Sequence, residues 1–73
     1  MPDIPILSGK EIVRALAKIG YQKIRQRGSH MRLSCPHRKS VTVPDYRMVS
    51  HGLLRKILRD AELSPEEFRK LLG

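Results

Sequence analysis

The sequence has little of what small domains use to stabilise a minimal core or to stack bases. Its 73 residues include one cysteine, Cys35, three aromatic residues and no tryptophan. One cysteine cannot form an internal disulfide, which is typical of proteins from reducing compartments. Three aromatics are too few for a sheet that stacks several bases on paired aromatic side chains. These absences exclude a disulfide scaffold and disfavour base-by-base recognition of a single strand.

Long apolar runs and signal-like patterns are also missing. No apolar run approaches the roughly 20 residues that span a bilayer, and the first residues lack the charged-then-apolar pattern of a secretion signal. We therefore expect no membrane partner and a cytoplasmic location. The length predicts one domain over residues 1–73, built from a few elements in two layers.

Metal ligands in useful spacings are scarce. Apart from the acidic residues and His30, the side chains that could bind zinc are Cys35, His37 and His51. A structural zinc site needs four ligands, usually in paired spacings, and the sequence has no second pair. We therefore assign no metal ligand and no cofactor, and expect Cys35 to be a small core residue.

Acidic residues are absent from Ile12 to Pro44, where the chain carries eight lysines and arginines. The remaining residues hold seven basic and seven acidic side chains, so this one segment contains the whole net charge of +8. A field of one sign attracts polyanions, with binding that weakens as salt rises. A surface that only keeps a protein soluble usually mixes both signs. The charge distribution thus favours a nucleic-acid partner.

Three segments have the start signals and apolar spacing of helices. The first begins with an S-x-x-E capping box, runs over residues 9–19 and ends at Gly20. The second is amphipathic over residues 53–61, and the third begins at Ser64 with another capping box. Residues 1–7 contain two prolines and predict an extended lead-in.

Three strands are predicted between the first two helices, over residues 21–26, 30–35 and 40–43. Their order predicts an α+β fold: helix, three-stranded antiparallel sheet, helix and short C-terminal helix. His30 and Arg32 alternate with the apolar residues and should point to the solvated face, together with basic residues of the first strand. The alternating apolar positions should face the helices: Met31, Leu33, Cys35, Val41 and Val43.

His30 is the residue best suited to chemistry, because it begins a strand directly after a Gly28-Ser29 turn in basic surroundings. An imidazole acts as a general base or acid near neutral pH, and the 2′-hydroxyl of RNA attacks the adjacent phosphate once deprotonated. Nearby guanidinium groups stabilise the charge of that transition state. From spacing alone, an exposed strand histidine without a role is the commoner case, so both interpretations stay open. The residues predicted to bind RNA lie in the same segment: Lys23, Arg25, Arg27, Ser29 and Arg32.

The sequence resembles the HicA family, the small mRNA-interferase toxins of prokaryotic HicA–HicB modules, in four stretches between Ser8 and Phe68. They are SGKEIVRALAKIGY, RQRGSHMRL, VTVP and GLLRKILRDAELSPEEF. The resemblance implies a fold similar to a double-stranded-RNA-binding domain and metal-independent cleavage of mRNA. The histidine of the family's Gly-Ser-His motif falls on His30 here, with Gly28 in the preceding turn. The resemblance also implies a HicB-like antitoxin partner that blocks the active site.

The chain departs from the family pattern in three places. Met31 stands where many members have a second histidine, and Tyr46 stands where many have a histidine in the loop after the third strand. The turn Pro36-His37-Arg38 replaces a turn that is often Pro-Asp-Gly-like. These differences leave unassigned the group that protonates the leaving 5′-oxygen. Either His30 acts twice or water takes part.

Three other interpretations share the same charge and order of elements. One is a non-catalytic RNA-binding module of this fold, and another is a basic protein that binds only an acidic partner. The third is a DNA-binding protein that uses the arginines and lysine of the helix over residues 53–61. A helix-turn-helix needs two helices joined by a short turn, and the next helix here is short and acidic at its start, which disfavours the third.

Overall fold

The computed structural model describes residues 3–73 and consists of three helices and one three-stranded sheet. The strands pair antiparallel in the order β1-β2-β3. This confirms the predicted α+β class and is consistent with a fold like that of double-stranded-RNA-binding domains. Met1 and Pro2, in the predicted lead-in, lie outside the described residues. The elements in chain order are α1 (Gly9–Ala17), β1 (Gln22–Arg27), β2 (His30–Cys35), β3 (Arg38–Pro44), α2 (His51–Asp60) and α3 (Pro65–Leu71).

Side-chain caps begin all three helices. In α1 the Ser8 hydroxyl accepts from the Glu11 N–H at 3.1 Å and the Glu11 carboxylate accepts from the Ser8 N–H at 2.9 Å, which confirms the capping box. Ser64 and Glu67 form the same box at α3. Ser50 caps α2, so this helix begins two residues before the predicted start. Among residues 3–73, no helix is both long and apolar enough to cross a membrane.

α1 ends at Ala17, two residues before the predicted end at residue 19, and Gly20 adopts the predicted left-handed conformation with φ of 109°. Its N–H donates to the Ala17 carbonyl at 3.1 Å, and the Tyr21 N–H donates to the Leu16 carbonyl at 3.3 Å. This pair of bonds is the Schellman motif. The chain then turns directly into β1.

The core lies between the helices and one face of the sheet. All five apolar strand positions predicted to face the helices are buried there, and so are Tyr21 and Phe68. Tyr21 satisfies its hydroxyl by donating to the Lys39 carbonyl at 2.8 Å. The lead-in also joins the core, since Ile4 and Leu7 are buried and Leu7 pairs with Val49 in an isolated bridge. Sequence patterning did not predict this packing.

Two contacts fix the helices against β3. The Gly9 N–H donates to the Tyr46 carbonyl at 2.8 Å, and a Cβ at Gly9 would overlap the Pro44 carbonyl oxygen. At the other end of β3, the Arg38 guanidinium donates to the Ala61 carbonyl at 2.8 Å, beside the C-terminus of α2. α2 therefore returns along β3 in the opposite direction.

Candidate nucleic-acid interface

A two-residue turn brings His30 to the start of β2. Arg27 pairs with His30 across the hairpin, so Gly28 and Ser29 form the whole loop. Gly28 has a φ of 54°, whereas Ser29 is not among the described residues with positive φ. Positive φ at the first central residue only is typical of a type II′ turn, which favours glycine there. The turn leaves the His30 side chain exposed.

The strand register assembles a basic surface around His30. Arg27 pairs with His30, Arg25 with Arg32, and Arg32 with Thr42. Directly paired residues share a face with Cβ atoms about 4.5–5.5 Å apart. We call this face, opposite the core, the outer face; it carries Arg25, Arg27, His30, Arg32 and Thr42. Arg32 is steadied by donating to the Thr42 hydroxyl at 2.9 Å.

A bulge separates Lys23 from the other predicted RNA-binding residues. The register of β1 shifts between Lys23 and Arg25, so Lys23 pairs with the buried Leu33 rather than with an outer-face residue. The Lys23 ammonium donates to the Gln26 side chain at 3.0 Å. Simple alternation would place Lys23 and Arg25 on one face, and the bulge places them on opposite faces.

Ser29 contributes through its backbone. Its side chain is half-buried, and its carbonyl accepts from the Asp45 N–H at 2.6 Å. This bond ties the turn before His30 to the loop that follows β3. The loop carries Tyr46, which thereby stays near the start of β2.

In the part of the chain that the structure describes, no outer-face arginine forms an ion pair. Among residues 3–73 the ion pairs within 4 Å are Lys56–Asp60 at 3.9 Å and Arg69–Asp3 at 4.0 Å. Two other cations of the basic segment cap helices instead: Arg38 at α2, as above, and Lys18, which donates to the Leu71 carbonyl at 2.6 Å. The charges of Arg25, Arg27 and Arg32 beside His30 are therefore not neutralised by an ion pair within 4 Å.

A groove of about 310 Å³ runs between the outer face and α2. The outer face is therefore bordered by a helix along β3, and is not fully open as the sequence suggested. Tyr46, which was not among the predicted site residues, lines the groove with His30. The lining residues are His30, Arg32, Thr42, Pro44, Tyr46, Leu53, Lys56, Ile57 and Asp60.

The contribution of α2 to this groove was not predicted from the sequence. Leu53, Lys56, Ile57 and Asp60 follow i, i+3, i+4, i+7 spacing and therefore form one stripe of the helix. The amphipathic pattern over residues 53–61 predicts that the apolar members of this stripe face the core, which is correct for the buried Ile57. Leu53 is in fact 41% exposed, as Tyr46 is at 44%.

Metal-ligating residues are not gathered at the site or elsewhere in the described part of the chain. Within residues 3–73 no three side chains of histidine, cysteine, aspartate or glutamate are close enough to hold an ion together. Of the other histidines, His37 lies in the β2–β3 turn, and His51 contacts the Ile4 carbonyl at 2.8 Å through Nε2. His30 is thus the one histidine of this part of the chain on the outer face.

Comparison with known protein families gives a match over most of the chain. A family model described as the HicA toxin of bacterial toxin–antitoxin systems matches residues 9–63. The matched range runs from the start of α1 to the loop after α2 and includes the whole sheet. No curated protein matches the chain.

Proposed function

The chain belongs to the HicA toxin family of bacterial toxin–antitoxin systems, and from this premise we propose that it is an endoribonuclease that cleaves mRNA without a metal. His30 is the catalytic base in this proposal. The observation that supports it most is the exposed His30 imidazole on a face with Arg25, Arg27 and Arg32. A metal-free cleavage of RNA needs this combination of a titratable base and fixed positive charge.

The reaction begins when His30 removes the proton from a ribose 2′-hydroxyl. The 2′-oxygen then forms a bond to the adjacent phosphorus, and the bond from phosphorus to the 5′-oxygen breaks. The leaving 5′-oxygen takes a proton from the His30 imidazolium or from water. The products are a 2′,3′-cyclic phosphate and a 5′-hydroxyl, so atoms and charge balance without a cofactor.

The arginines bind the RNA around the scissile phosphate. A guanidinium presents a rigid fork of N–H donors that suits phosphate oxygens and stays charged at every physiological pH. Arg27 is the cross-strand partner of His30, and Arg25 and Arg32 form the next pair. Charge that develops on the phosphate during attack is therefore met by donors already in place.

The proposed partner is a HicB-type antitoxin that covers the outer face. Since RNA would use the same face, antitoxin and RNA should compete for it. Pre-formed complex should therefore neither bind nor cleave RNA at concentrations where the free toxin does both.

The test is incubation of the purified protein with a single-stranded RNA in excess EDTA, followed by analysis of the fragment ends. We expect fragments with 2′,3′-cyclic phosphate and 5′-hydroxyl ends. Cleavage that needs a divalent ion, or that leaves 5′-phosphates, would contradict the mechanism.

A second function, RNA binding without cleavage, is favoured by one observation. Among residues 3–73, no hydrogen bond orients the His30 ring, whereas catalytic bases are usually held by a third group. Salt-sensitive RNA binding with no fragments in EDTA would establish this second function instead.

A further inference from the structure

The groove beside His30 holds the Asp60 carboxylate at its far end, and the proposed cleavage mechanism gives this group no role. α2 runs antiparallel to β3, and the bond from Arg38 to the Ala61 carbonyl fixes its C-terminal end near the start of that strand. Asp60 precedes Ala61, so it lies at the Arg32–Thr42 end of the groove. His30 pairs with Pro44 and marks the opposite end, beside Tyr46 and Leu53.

Arg32 and Asp60 line the same groove without contacting each other. Among residues 3–73, no ion pair within 4 Å joins them, and the Asp60 carboxylate instead lies 3.9 Å from the Lys56 ammonium. These side chains are 70% and 45% exposed, so the pair is weakly held. The Arg32 guanidinium, a donor, and the Asp60 carboxylate, an acceptor, therefore line a shared space in which one ligand can contact both.

The walls between the two ends are apolar. Pro44, Tyr46, Leu53 and Ile57 line them, and Tyr46 and Leu53 are two of the five large hydrophobic residues that the described chain leaves exposed. Flat apolar and aromatic walls suit the faces of an unstacked base. The volume of about 310 Å³ is at the lower end of the range for small-ligand sites, roughly 300–1,000 Å³, and suits one nucleoside.

We propose that this groove is a subsite for one unstacked guanine nucleotide, the nucleotide that supplies the attacking 2′-hydroxyl. This inference rests on the proposed ribonuclease function for the role of that hydroxyl. Guanine presents two donors, N1–H and the N2 amino group, which a carboxylate can accept together, and two acceptors, O6 and N7, which arginine recognises. Asp60 takes the donors, Arg32 takes the acceptors, and the ribose lies toward His30.

The other bases fit this pair of charges less well. Adenine and cytosine place an acceptor beside their amino donor, and uracil places its single donor between two acceptors. Each would bring a lone pair toward the Asp60 carboxylate. Since one well-formed bidentate contact discriminates bases by roughly fivefold or more, we expect a preference for guanine of about tenfold.

The test uses thymidine strands that contain one ribonucleotide, rA, rC, rG or rU, so that one 2′-hydroxyl fixes the cleavage site and its base is the only variable. We expect kcat/KM to be about tenfold higher for rG than for rU. Asp60→Asn should reduce this ratio to about threefold or less. Glu62→Gln is the matched control, with the same charge change two residues away and outside the groove, and should keep the ratio.

Binding separates this inference from the proposed function. All-DNA strands with the same four bases cannot be cleaved, and their binding by the wild type is measured by fluorescence anisotropy. If no strand is cleaved but dG binds about tenfold more tightly than dU in an Asp60-dependent way, the ribonuclease proposal fails and the guanine subsite stands. Equal rates and equal affinities for all four bases, or a preference that Asp60→Asn leaves intact in a folded protein, would overturn the subsite.

Discussion

Lys23 and Arg25 carry the same charge two residues apart in β1, yet the register shift between them gives them different neighbours. Arg25 pairs with Arg32 on the outer face, whereas Lys23 pairs with the buried Leu33 and donates to Gln26. A residue's contribution to RNA binding should therefore depend on its register position and not on its charge alone.

Substitution of these two residues provides a matched comparison. Arg25→Gln should weaken binding of an uncleavable 2′-O-methyl RNA about threefold to tenfold and lower the salt slope by about one. Lys23→Gln, with an equal loss of charge, should have a clearly smaller effect. Both are measured by anisotropy titrations over a series of salt concentrations. Equal losses in the two variants would mean that the outer face is not the binding face.

Glu62 occupies a backbone position that suits glycine. Its φ is 58°, and it ends α2 in the Schellman pattern: its N–H donates to the Arg59 carbonyl and the Leu63 N–H donates to the Leu58 carbonyl. Glu62→Gly should raise the free energy of unfolding by about 1 kcal/mol, because a side chain is disfavoured in the left-handed region. Glu62→Ala still places a side chain in the left-handed region, so it should change the free energy of unfolding little. Urea unfolding of both variants checks this, and equal stabilities would contradict it.

At the scale of elements, the contact between α1 and the end of β3 supports the site. Gly9 lies so close to the Pro44 backbone that no side chain fits there, and Pro44 is the cross-strand partner of His30. The same region holds Tyr46 through its carbonyl bond to the Gly9 N–H. The first turn of α1 therefore positions the loop that closes one end of the groove.

Gly9→Ala should destabilise the protein by about 1–3 kcal/mol, because one methyl group must push two backbones apart. Gly52, in the first turn of α2, is a control, since the nearest atom to an added Cβ is the Ser50 Oγ at 3.9 Å. Gly52→Ala should be neutral or stabilising by up to about 1 kcal/mol. Denaturant unfolding of the two variants provides the comparison; similar losses at both positions would refute the close approach.

The capping boxes predict how the stability of the protein depends on pH. The hydrogen bonds from Ser8 lower the pKa of Glu11 below its ordinary value of 4.5, and those from Ser64 do the same for Glu67. A carboxyl with a lowered pKa in the folded state adds stability above its unfolded pKa and loses it as pH falls through the folded pKa. The two helix starts should therefore weaken below about pH 4.5.

Glu11→Gln tests this directly. The variant should be less stable than the wild type at about pH 7, and the gap should shrink by about pH 3, where the wild-type carboxyl is protonated. Glu66→Gln, which removes a carboxylate without a capping bond, should show a smaller gap. Thermal melts at both pH values measure the difference in stability between each variant and the wild type. A difference for Glu11→Gln that does not change with pH would count against the capping contribution.

At the scale of the whole molecule, the features that depend on local sequence patterns were predicted correctly, and those that depend on long-range packing were not. Capping boxes, helix periodicity and strand alternation are local, and they correctly predicted the order of elements, the buried face of β2 and the position of His30 on the opposite face. The bulge in β1 left no mark in the alternation, because every residue of that strand is exposed and none of its own side chains is buried to fix the register.

The groove was unpredictable for a different reason. It exists because α2 packs along β3 and brings Asp60 to the same space as Arg32, residues that are far apart in sequence. The burial of Ile4 and Leu7 likewise depends on a pairing with the distant Val49. Such features depend on tertiary contacts, whereas the charge imbalance that indicated a polyanion partner is a property of composition alone.

The most direct measurement is the rate of RNA cleavage in EDTA by the wild type, His30→Ala and His37→Asn, all purified in the same way. His37 is the matched control, an exposed histidine in the far turn whose φ of 66° asparagine tolerates. The account predicts that His30→Ala loses at least about 100-fold in rate while it stays folded, and that His37→Asn keeps the wild-type rate. Cleavage by a folded His30→Ala protein at the wild-type rate would contradict it.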